Sequence, residues 1–157
     1  MSQRSGMLIT VWMVVILLAL FIVNDITSAQ EGESKSEPIA ISTIDELQFI
    51  GNNPNYPLNG NYVLTQDIDG LSTATWNDGA GFVPIGTESE ATFTGTIDGQ
   101  GHKISGLVIN RPSVNNVGLI GYLNGQVKNI GIEDCDISGS NYIGGLVGYM
   151  AGGTVTA

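Results

Sequence analysis

The sequence predicts an all-β fold in which short strands coil into stacked layers, and three observations support that fold class. Residues 118–122 (GLIGY) recur 27 positions later as residues 145–149 (GLVGY). A period of about 20 to 50 residues is typical of repeats that bury their apolar faces against each other. Glycine, at 22 of 157 residues, permits tight corners between strands and weakens helices. Finally, only one stretch after residue 30 has a convincing helical pattern.

Composition and charge exclude some classes of protein. Charged residues make up 13% of the chain and hydrophobic residues 42%, which is typical of a chain that packs. The formal net charge is -10, and the five basic residues form no cluster. Because such a surface repels phosphate backbones, we expect no nucleic-acid partner.

Residues 1–29 have the pattern of an export signal. Arg4 precedes an apolar run at residues 7–23, and Thr27-Ser28-Ala29 offers small residues for a signal peptidase. The run is also just long enough to act as an uncleaved signal anchor. Both interpretations place the N-terminus inside and the body outside, so we expect a secreted or cell-surface protein whose membrane contact, if any, is through residues 7–23. Residues 30–40 have the composition of a polar linker.

Residues 41–92 predict a capping helix, a first strand and a loop excursion. Thr43 and Glu46 match a helix capping box, and Gly51 can end the helix. The helix would direct Ile44 and Leu47, at helical spacing, into a core. Such a helix suits the end of a strand array, where apolar groups need a cover.

The segment after the helix is expected to open the strand array. In residues 61–69 the alternation directs Val63 or Leu64, together with Ile68, toward the core. Residues 70–92 predict an irregular excursion. Its expected anchors are Trp76, Phe82, Pro84, Ile85 and Gly86.

Residues 93–157 predict the repeats themselves. Besides the two glycine phrases, residues 102–109 match residues 125–132 at an offset of 23, on three apolar pairs: Ile104 with Val127, Leu107 with Ile130, and Ile109 with Ile132. The eight positions predicted to define the structural repeat are Gly118, Leu119, Gly121, Tyr122, Gly145, Leu146, Gly148 and Tyr149. We expect valine at position 118 or 145 to push layers apart.

Three phrases together resemble the GLUG-motif family of secreted and surface proteins: FTGTIDGQGHKI at 93–104, VGLIG at 117–121 and IGGLVG at 143–148. The resemblance covers residues 41–157. It implies a right-handed parallel β-helix (β-solenoid), the fold of large adhesin-like proteins and of repeats beside the catalytic region of some immunoglobulin A-cleaving metallopeptidases. A solenoid needs about three repeats, and residues 93–157 supply fewer, so we expect that the reading frame is truncated or split.

His102 and Cys135 are each the only residue of their type. A single histidine without a cysteine cluster cannot supply a zinc site of the usual kind, and no HExxH motif occurs. Alternation within Glu133–Ile137 predicts that the Cys135 thiol is buried beside Ile137 and inert. Its acidic neighbours also disfavour the thiolate.

Two larger sets of side chains could carry chemistry. Calcium needs about six to eight oxygen ligands, and turns explain the acidic residues more simply. These are Asp67, Asp69, Asp78, Glu88, Glu90, Asp98, Asp134 and Asp136. Packing is the favoured role of the aromatic residues, with a sugar-stacking ladder as the alternative. These are Tyr56, Tyr62, Trp76, Phe82, Tyr122, Tyr142 and Tyr149.

We therefore expect an exported structural or adhesive module that binds protein or glycan through extended faces. We expect no catalysis, cofactor or metal in this chain. The alternative is an accessory region of a secreted hydrolase, either a metallopeptidase or a polysaccharide-active enzyme, whose catalytic part lies elsewhere.

Overall fold

The computed structural model describes residues 37–157, and strands dominate this part of the chain. The predicted leader at residues 1–29 lies outside the described residues, as does most of the linker. Within the described residues, one α-helix, α1 (Ile44–Phe49), and two 3-10 helices, Leu71–Gly79 and Ser89–Ala91, accompany the strands. The strands are β1 (Ile39–Ile41), β2 (Asn61–Leu64), β3 (Ile68–Asp69), β4 (Thr96–Asp98), β5 (Lys103–Ser105), β6 (Val108–Asn110), β7 (Ile120–Leu123), β8 (Gln126–Lys128), β9 (Gly131–Glu133), β10 (Asp136–Ser138), β11 (Val147–Met150) and β12 (Thr154–Thr156). The predicted all-β class is confirmed.

The strands of residues 37–157 form four sheets, and every strand pair in them is parallel. The strand orders are β1-β2-β4-β8-β12, β3-β5-β9, β6-β10 and β7-β11. Strands β4, β5, β6 and β7 enter four different sheets in turn. Strands β8, β9, β10 and β11 then enter the same four sheets in the same order. The chain therefore returns to the four sheets in a fixed order.

Rows of apolar side chains run across these sheets. In the largest sheet, Ile97 pairs with Tyr62 on one side and with Val127 on the other, and all three side chains are buried. From β4 onward, register partners lie from 27 positions apart, as for Ile120 and Val147, to 30 positions apart, as for Ile97 and Val127. Strands β1 to β11 each contribute an inward apolar residue that lies in the core or packs against it, whereas Val155 of β12 is exposed. Burial of the inward side chains is the main stabilising term.

The offset of 23 in the second sequence echo does not correspond to the strand pairing. Ile104 pairs with Ile132, 28 positions later, and Ile109 pairs with Ile137. The echo had matched Ile104 to Val127, which lies in a different sheet. Almost every short strand here has an inward apolar residue. If the alignment of the two stretches is shifted by one whole strand, apolar residues are therefore still matched with apolar residues. Apolar identity alone cannot choose between those registers.

Helix α1 has the capping predicted from the sequence. Thr43 is its N-cap, and the Thr43 hydroxyl accepts a hydrogen bond of 3.2 Å from the Glu46 backbone N–H. The Glu46 carboxylate reaches back one residue further than a capping box requires, to the Ser42 N–H at 2.7 Å and the Ser42 hydroxyl at 2.9 Å. These bonds lower the pKa of Glu46, the Ser42 N–H being the main cause. The apolar face of the helix packs into the core as expected, through Ile44, Leu47 and Ile50.

Residues 61–92 follow the prediction with two differences. The single strand expected at 61–69 is two strands, β2 and β3, and Leu64 rather than Val63 is the buried choice. The excursion at 70–92 contains the two 3-10 helices and meets the sheets at two isolated bridges, Gly81 with Ile109 and Ile85 with Ile120. A further bridge, Phe93 with Leu123, follows directly after it. Phe82 and Ile85 are fully buried and hold the excursion against the core.

Candidate functional site

The two glycine phrases lie side by side. Strand β7, which holds the end of the first phrase, pairs with β11 in parallel, with Tyr122 opposite Tyr149. Before the strands, the Leu119 N–H donates to the Gly145 carbonyl at 3.2 Å, and the Ile120 N–H donates to the Leu146 carbonyl at 2.9 Å. Leu119 is fully buried and Leu146 packs against the core. This is the register that the 27-residue spacing predicts.

Most of the phrase glycines allow neighbouring backbones to approach closely. A Cβ at Gly118 would lie 2.7 Å from the Gly144 carbonyl oxygen and 2.9 Å from the Gly148 nitrogen. A Cβ at Gly148 would lie 2.6 Å from the Val117 nitrogen, and one at Gly121 would meet the Gly86 carbonyl oxygen. Contacts this short with backbone atoms cannot be relieved by a side-chain rotation.

Gly145 differs from its counterpart Gly118. The nearest atoms to a Cβ at Gly145 would be the Cys135 Sγ and the Ile132 Cγ2, both at 3.8 Å, which is ordinary van der Waals contact. The expectation that a side chain at 145 pushes layers apart therefore loses its steric basis. Equal places in the repeated phrase do not have equal space around them.

The phrase tyrosines form an aromatic face on the outside of β7 and β11. The Tyr122 and Tyr149 rings are 4.9 Å apart at 34°, and Tyr142 meets Tyr149 edge-on at 5.2 Å and 75°. Tyr142 is 60% exposed and has a left-handed φ of 58°. Pair contacts of this kind contribute about 0.5–1.5 kcal/mol each, so packing accounts for Tyr122 and Tyr149.

His102 takes part in a polar cluster on the surface beside β3, β5 and β9. The Asp67 carboxylate lies 3.1 Å from the His102 Nδ1 and accepts the Lys103 N–H at 3.2 Å. The Lys103 N–H is the main cause of the lowered pKa of Asp67, followed by the His102 side chain. Lys103 also pairs with Glu133 at 2.8 Å, and that pair raises the pKa of Lys103. Exposed pairs of this kind contribute little to stability.

The remaining acidic candidates do not assemble into one site. Asp98 accepts the Gln100 N–H at 3.0 Å and pairs with Lys128 at 3.2 Å, and the Gln100 N–H is the main cause of its lowered pKa. Asp69 accepts the Leu71 N–H at 2.9 Å in a turn. The other five positions, Asp78, Glu88, Glu90, Asp134 and Asp136, are exposed. Within residues 37–157, no group of three or more metal-ligating side chains comes together.

The prediction that the Cys135 thiol is buried is wrong, because Cys135 is exposed. It lies between β9 and β10 rather than inside a strand, directly after Asp134, whose φ of 48° marks a turn. Alternation along a strand therefore does not apply at this position.

A cleft that sequence reasoning missed lies between helix α1 and the excursion. Its volume is about 370 Å³, within the range of about 300–1,000 Å³ typical of ligand pockets. The lining includes two aromatic rings, one carboxylate and three side-chain amides: Phe49, Trp76, Asp45, Gln48, Asn52 and Asn77. Part of this cleft could have been predicted from the sequence, because Asp45 and Gln48 are polar residues at helical spacing on α1 and Asn52 follows in the turn after the helix.

Hydrogen bonds fix the walls of this cleft. The Gln48 amide bridges to Val83, accepting the Val83 N–H at 2.7 Å and donating to the Val83 carbonyl at 3.1 Å. The Asn52 amide donates to the Gln48 carbonyl at 2.8 Å, and the Asn77 amide donates to the Gly81 carbonyl at 2.7 Å. The helix and the excursion are thereby tied together across the cleft.

Comparison with known proteins found two relatives. Halomucin from Haloquadratum walsbyi is 35% identical over 134 residues, which are 82% of this chain and 2% of halomucin. A protein of Evansella cellulosilytica described as a Gly-rich membrane protein is 37% identical over 102 residues, 63% of this chain and 11% of that protein. The chain thus spans a small fraction of the length of both. No family model matches the chain, and no solved structure matches it.

Proposed function

We propose that residues 37–157 wind as a right-handed parallel β-helix of the GLUG-motif kind. The observation that carries this proposal is the repeated order of sheet visits, in which β4 to β7 and then β8 to β11 enter the four sheets in the same sequence. Parallel pairing in register is what a coil of strands requires. At about 4.8 Å between neighbouring strands, the five strands of the largest sheet span about 19 Å.

The function we propose for this module is structural and adhesive, at the cell surface and without catalysis of its own. One relative is described as a membrane protein, which supports a surface or membrane-associated location. The predicted export signal supports the same assignment. Between residues 37 and 157, no helix combines the length and apolar character needed to cross a bilayer. Stacked layers suit a rigid spacer whose sides offer extended surface for contact.

The stacking is tested by a disulfide between layers. Gln126 and Thr154 are register partners in neighbouring strands and both are exposed. We expect Gln126→Cys with Thr154→Cys, in a Cys135→Ser background, to form a disulfide under mild oxidation, because parallel partners fall within disulfide reach. Lys128→Cys with Thr154→Cys is the matched control, with an expected Cα separation of about 8 Å. Equal cross-linking of the two pairs would contradict the register.

The location is tested with Cys135, the only cysteine in the sequence. A membrane-impermeant maleimide added to intact host cells should label the full chain, and the Cys135→Ser variant should give no signal. Labelling that requires cell lysis would overturn the surface assignment.

A further inference from the structure

We propose that the cleft between α1 and the excursion binds a neutral glycan, seating a sugar ring between the side chains of Phe49 and Trp76. The proposal rests on the proposed adhesive function and assigns its ligand class and its site. A pyranose has an apolar C–H face and a rim of hydroxyl groups. The cleft offers the matching chemistry, with aromatic faces for the ring and amide or carboxylate groups for the hydroxyls.

The two aromatic side chains are placed for contact with a ligand. Phe49 is 41% exposed, although it is the last residue of a helix whose other large apolar residues are buried. Its ring meets Tyr56 at 5.4 Å, which fixes its position from behind. Trp76 is half-buried and stacks on the buried Phe82 at 6.5 Å. Both rings are therefore held by the core and still border open space.

The backbone that carries Trp76 is strained. Asn77 and Asp78 follow it with φ values of 51° and 55°, in the left-handed region where two successive non-glycine residues are unusual. The turn is held by bonds from the Ala80 N–H to the Asn77 carbonyl and from the Gly81 N–H to the Trp76 carbonyl, each at 3.0 Å. Strain of this kind concentrates at ligand sites, where it positions a side chain.

The polar groups favour an uncharged ligand with several hydroxyls. Asp45 supplies the single carboxylate of the lining, and the other polar groups are the amides of Gln48, Asn52 and Asn77. The Asn52 and Asn77 amides each donate to a backbone carbonyl, and the oxygen of each of these amides is a further acceptor that a ligand hydroxyl can use. A carboxylate together with amide oxygens accepts hydrogen bonds from hydroxyls and repels anionic sugars.

A neighbouring hollow provides an internal comparison. It has a volume of about 440 Å³, is lined by residues of the loop Gly51–Leu58 and shares Asn52 with the cleft. Its lining has neither an aromatic ring nor a charged group. Size alone would favour this hollow, but it lacks the stacking surface that a sugar ring needs.

Isothermal titration of the full chain tests the proposal. The probes are cellohexaose, maltohexaose, chitohexaose and mannohexaose as neutral glycans, hexagalacturonate as an anionic glycan, and octalysine as a cationic peptide. We expect at least one neutral hexasaccharide to bind with a dissociation constant of about 1 mM or tighter. Hexagalacturonate should bind at least about tenfold more weakly than the best neutral hexasaccharide, because the Asp45 carboxylate repels it. Asp45→Asn should therefore reduce this difference in affinity.

Matched variants locate the site. Trp76→Ala and Phe49→Ala should each weaken binding at least about tenfold, and Tyr142→Ala, which removes an exposed aromatic ring elsewhere, should change it less than about twofold. Because Trp76 also packs on Phe82, Phe49→Ala decides the matter if Trp76→Ala misfolds. No neutral hexasaccharide bound, binding that survives Phe49→Ala, or binding of octalysine in place of the sugars would each overturn the proposal. The cross-link and surface-labelling results do not depend on these outcomes.

Discussion

The two phrase glycines allow a matched test of the stacking. Gly118 and Gly145 occupy the same place in the repeated phrase, and neither has a left-handed φ. Alanine at either position is thus compatible with the backbone, and only the surrounding space differs. A Cβ at 118 meets two backbone atoms at 2.7 and 2.9 Å, whereas a Cβ at 145 meets two side-chain atoms at 3.8 Å.

The magnitude follows from those contacts. Gly118→Ala must separate the residues just before β7 from Gly144 and from Gly148 in β11. Overpacking of this kind costs about 1–3 kcal/mol. For residues 37–157, an unfolding entropy of about 0.25 kcal/mol per K converts this cost into a melting temperature lower by about 4 to 12 °C. Gly145→Ala adds no clash and restricts the unfolded chain, so its melting temperature should stay the same or rise by up to about 4 °C.

Thermal unfolding followed by circular dichroism, with each variant at the same concentration, measures both values. Gly148→Ala extends the test, since a Cβ at 148 would lie 2.6 Å from the Val117 nitrogen. This variant should resemble Gly118→Ala. Equal melting temperatures for the alanine variants at 118 and 145, or a lower one at 145, would refute the argument from interlayer space.

Three further outcomes are expected from the caps and turns. Thr43→Ala removes the N-cap hydroxyl of α1 and should lower the free energy of unfolding by about 1 kcal/mol, whereas Thr43→Ser should leave it nearly unchanged. Because the pKa of Glu46 is lowered in the folded state, the Glu46 carboxylate stabilises the fold at pH values above its ordinary pKa of 4.5, and this contribution is lost as the pH falls through the folded-state pKa. The difference in melting temperature between wild type and Glu46→Gln should therefore shrink from pH 7 toward pH 3. A difference that stays constant over this pH range would contradict the assignment. Asn116 has a φ of 57°, and its side-chain amide donates to the Thr87 carbonyl at 3.1 Å. Both Asn116→Ala and Asn116→Gly lose this hydrogen bond, but glycine tolerates the left-handed backbone, so Asn116→Ala should lower the free energy of unfolding more in chemical denaturation. The reverse order would exclude backbone strain at position 116 as the cause.

The sequence specified the local and repetitive parts of the fold. Thr43 with Glu46 predicted the helix start because capping depends on residues three positions apart. The two glycine phrases predicted the pairing of Tyr122 with Tyr149 because five matching positions in a row allow one register only. The echo between Ile104 and Val127 failed because three apolar positions allow more than one.

Features that depend on turns or on distant segments were not predictable in this way. Cys135 is exposed because the left-handed turn at Asp134 interrupts the strand alternation. The acidic residues beside it are compatible with a strand or a turn, so the sequence did not reveal the turn. The cleft joins helix α1 to the excursion through the bridge from Gln48 to Val83, 35 positions apart. Side-chain bonds over such a separation leave no periodic trace in a sequence.

The spacing between register partners indicates which part of the chain is free to acquire a binding function. Ile97 and Val127 are 30 positions apart, whereas Tyr62 and Ile97, partners in the same sheet, are 35 apart. Residues within a layer must satisfy the rows above and below, so their side chains are constrained by stacking. The longer connection between Tyr62 and Ile97 includes a part outside the paired strands, the strained turn at Asn77 and Asp78 that holds Trp76 beside α1. A ligand-binding site is therefore more compatible with the excursion, which interrupts the regular strand order, than with the regular faces of the sheets.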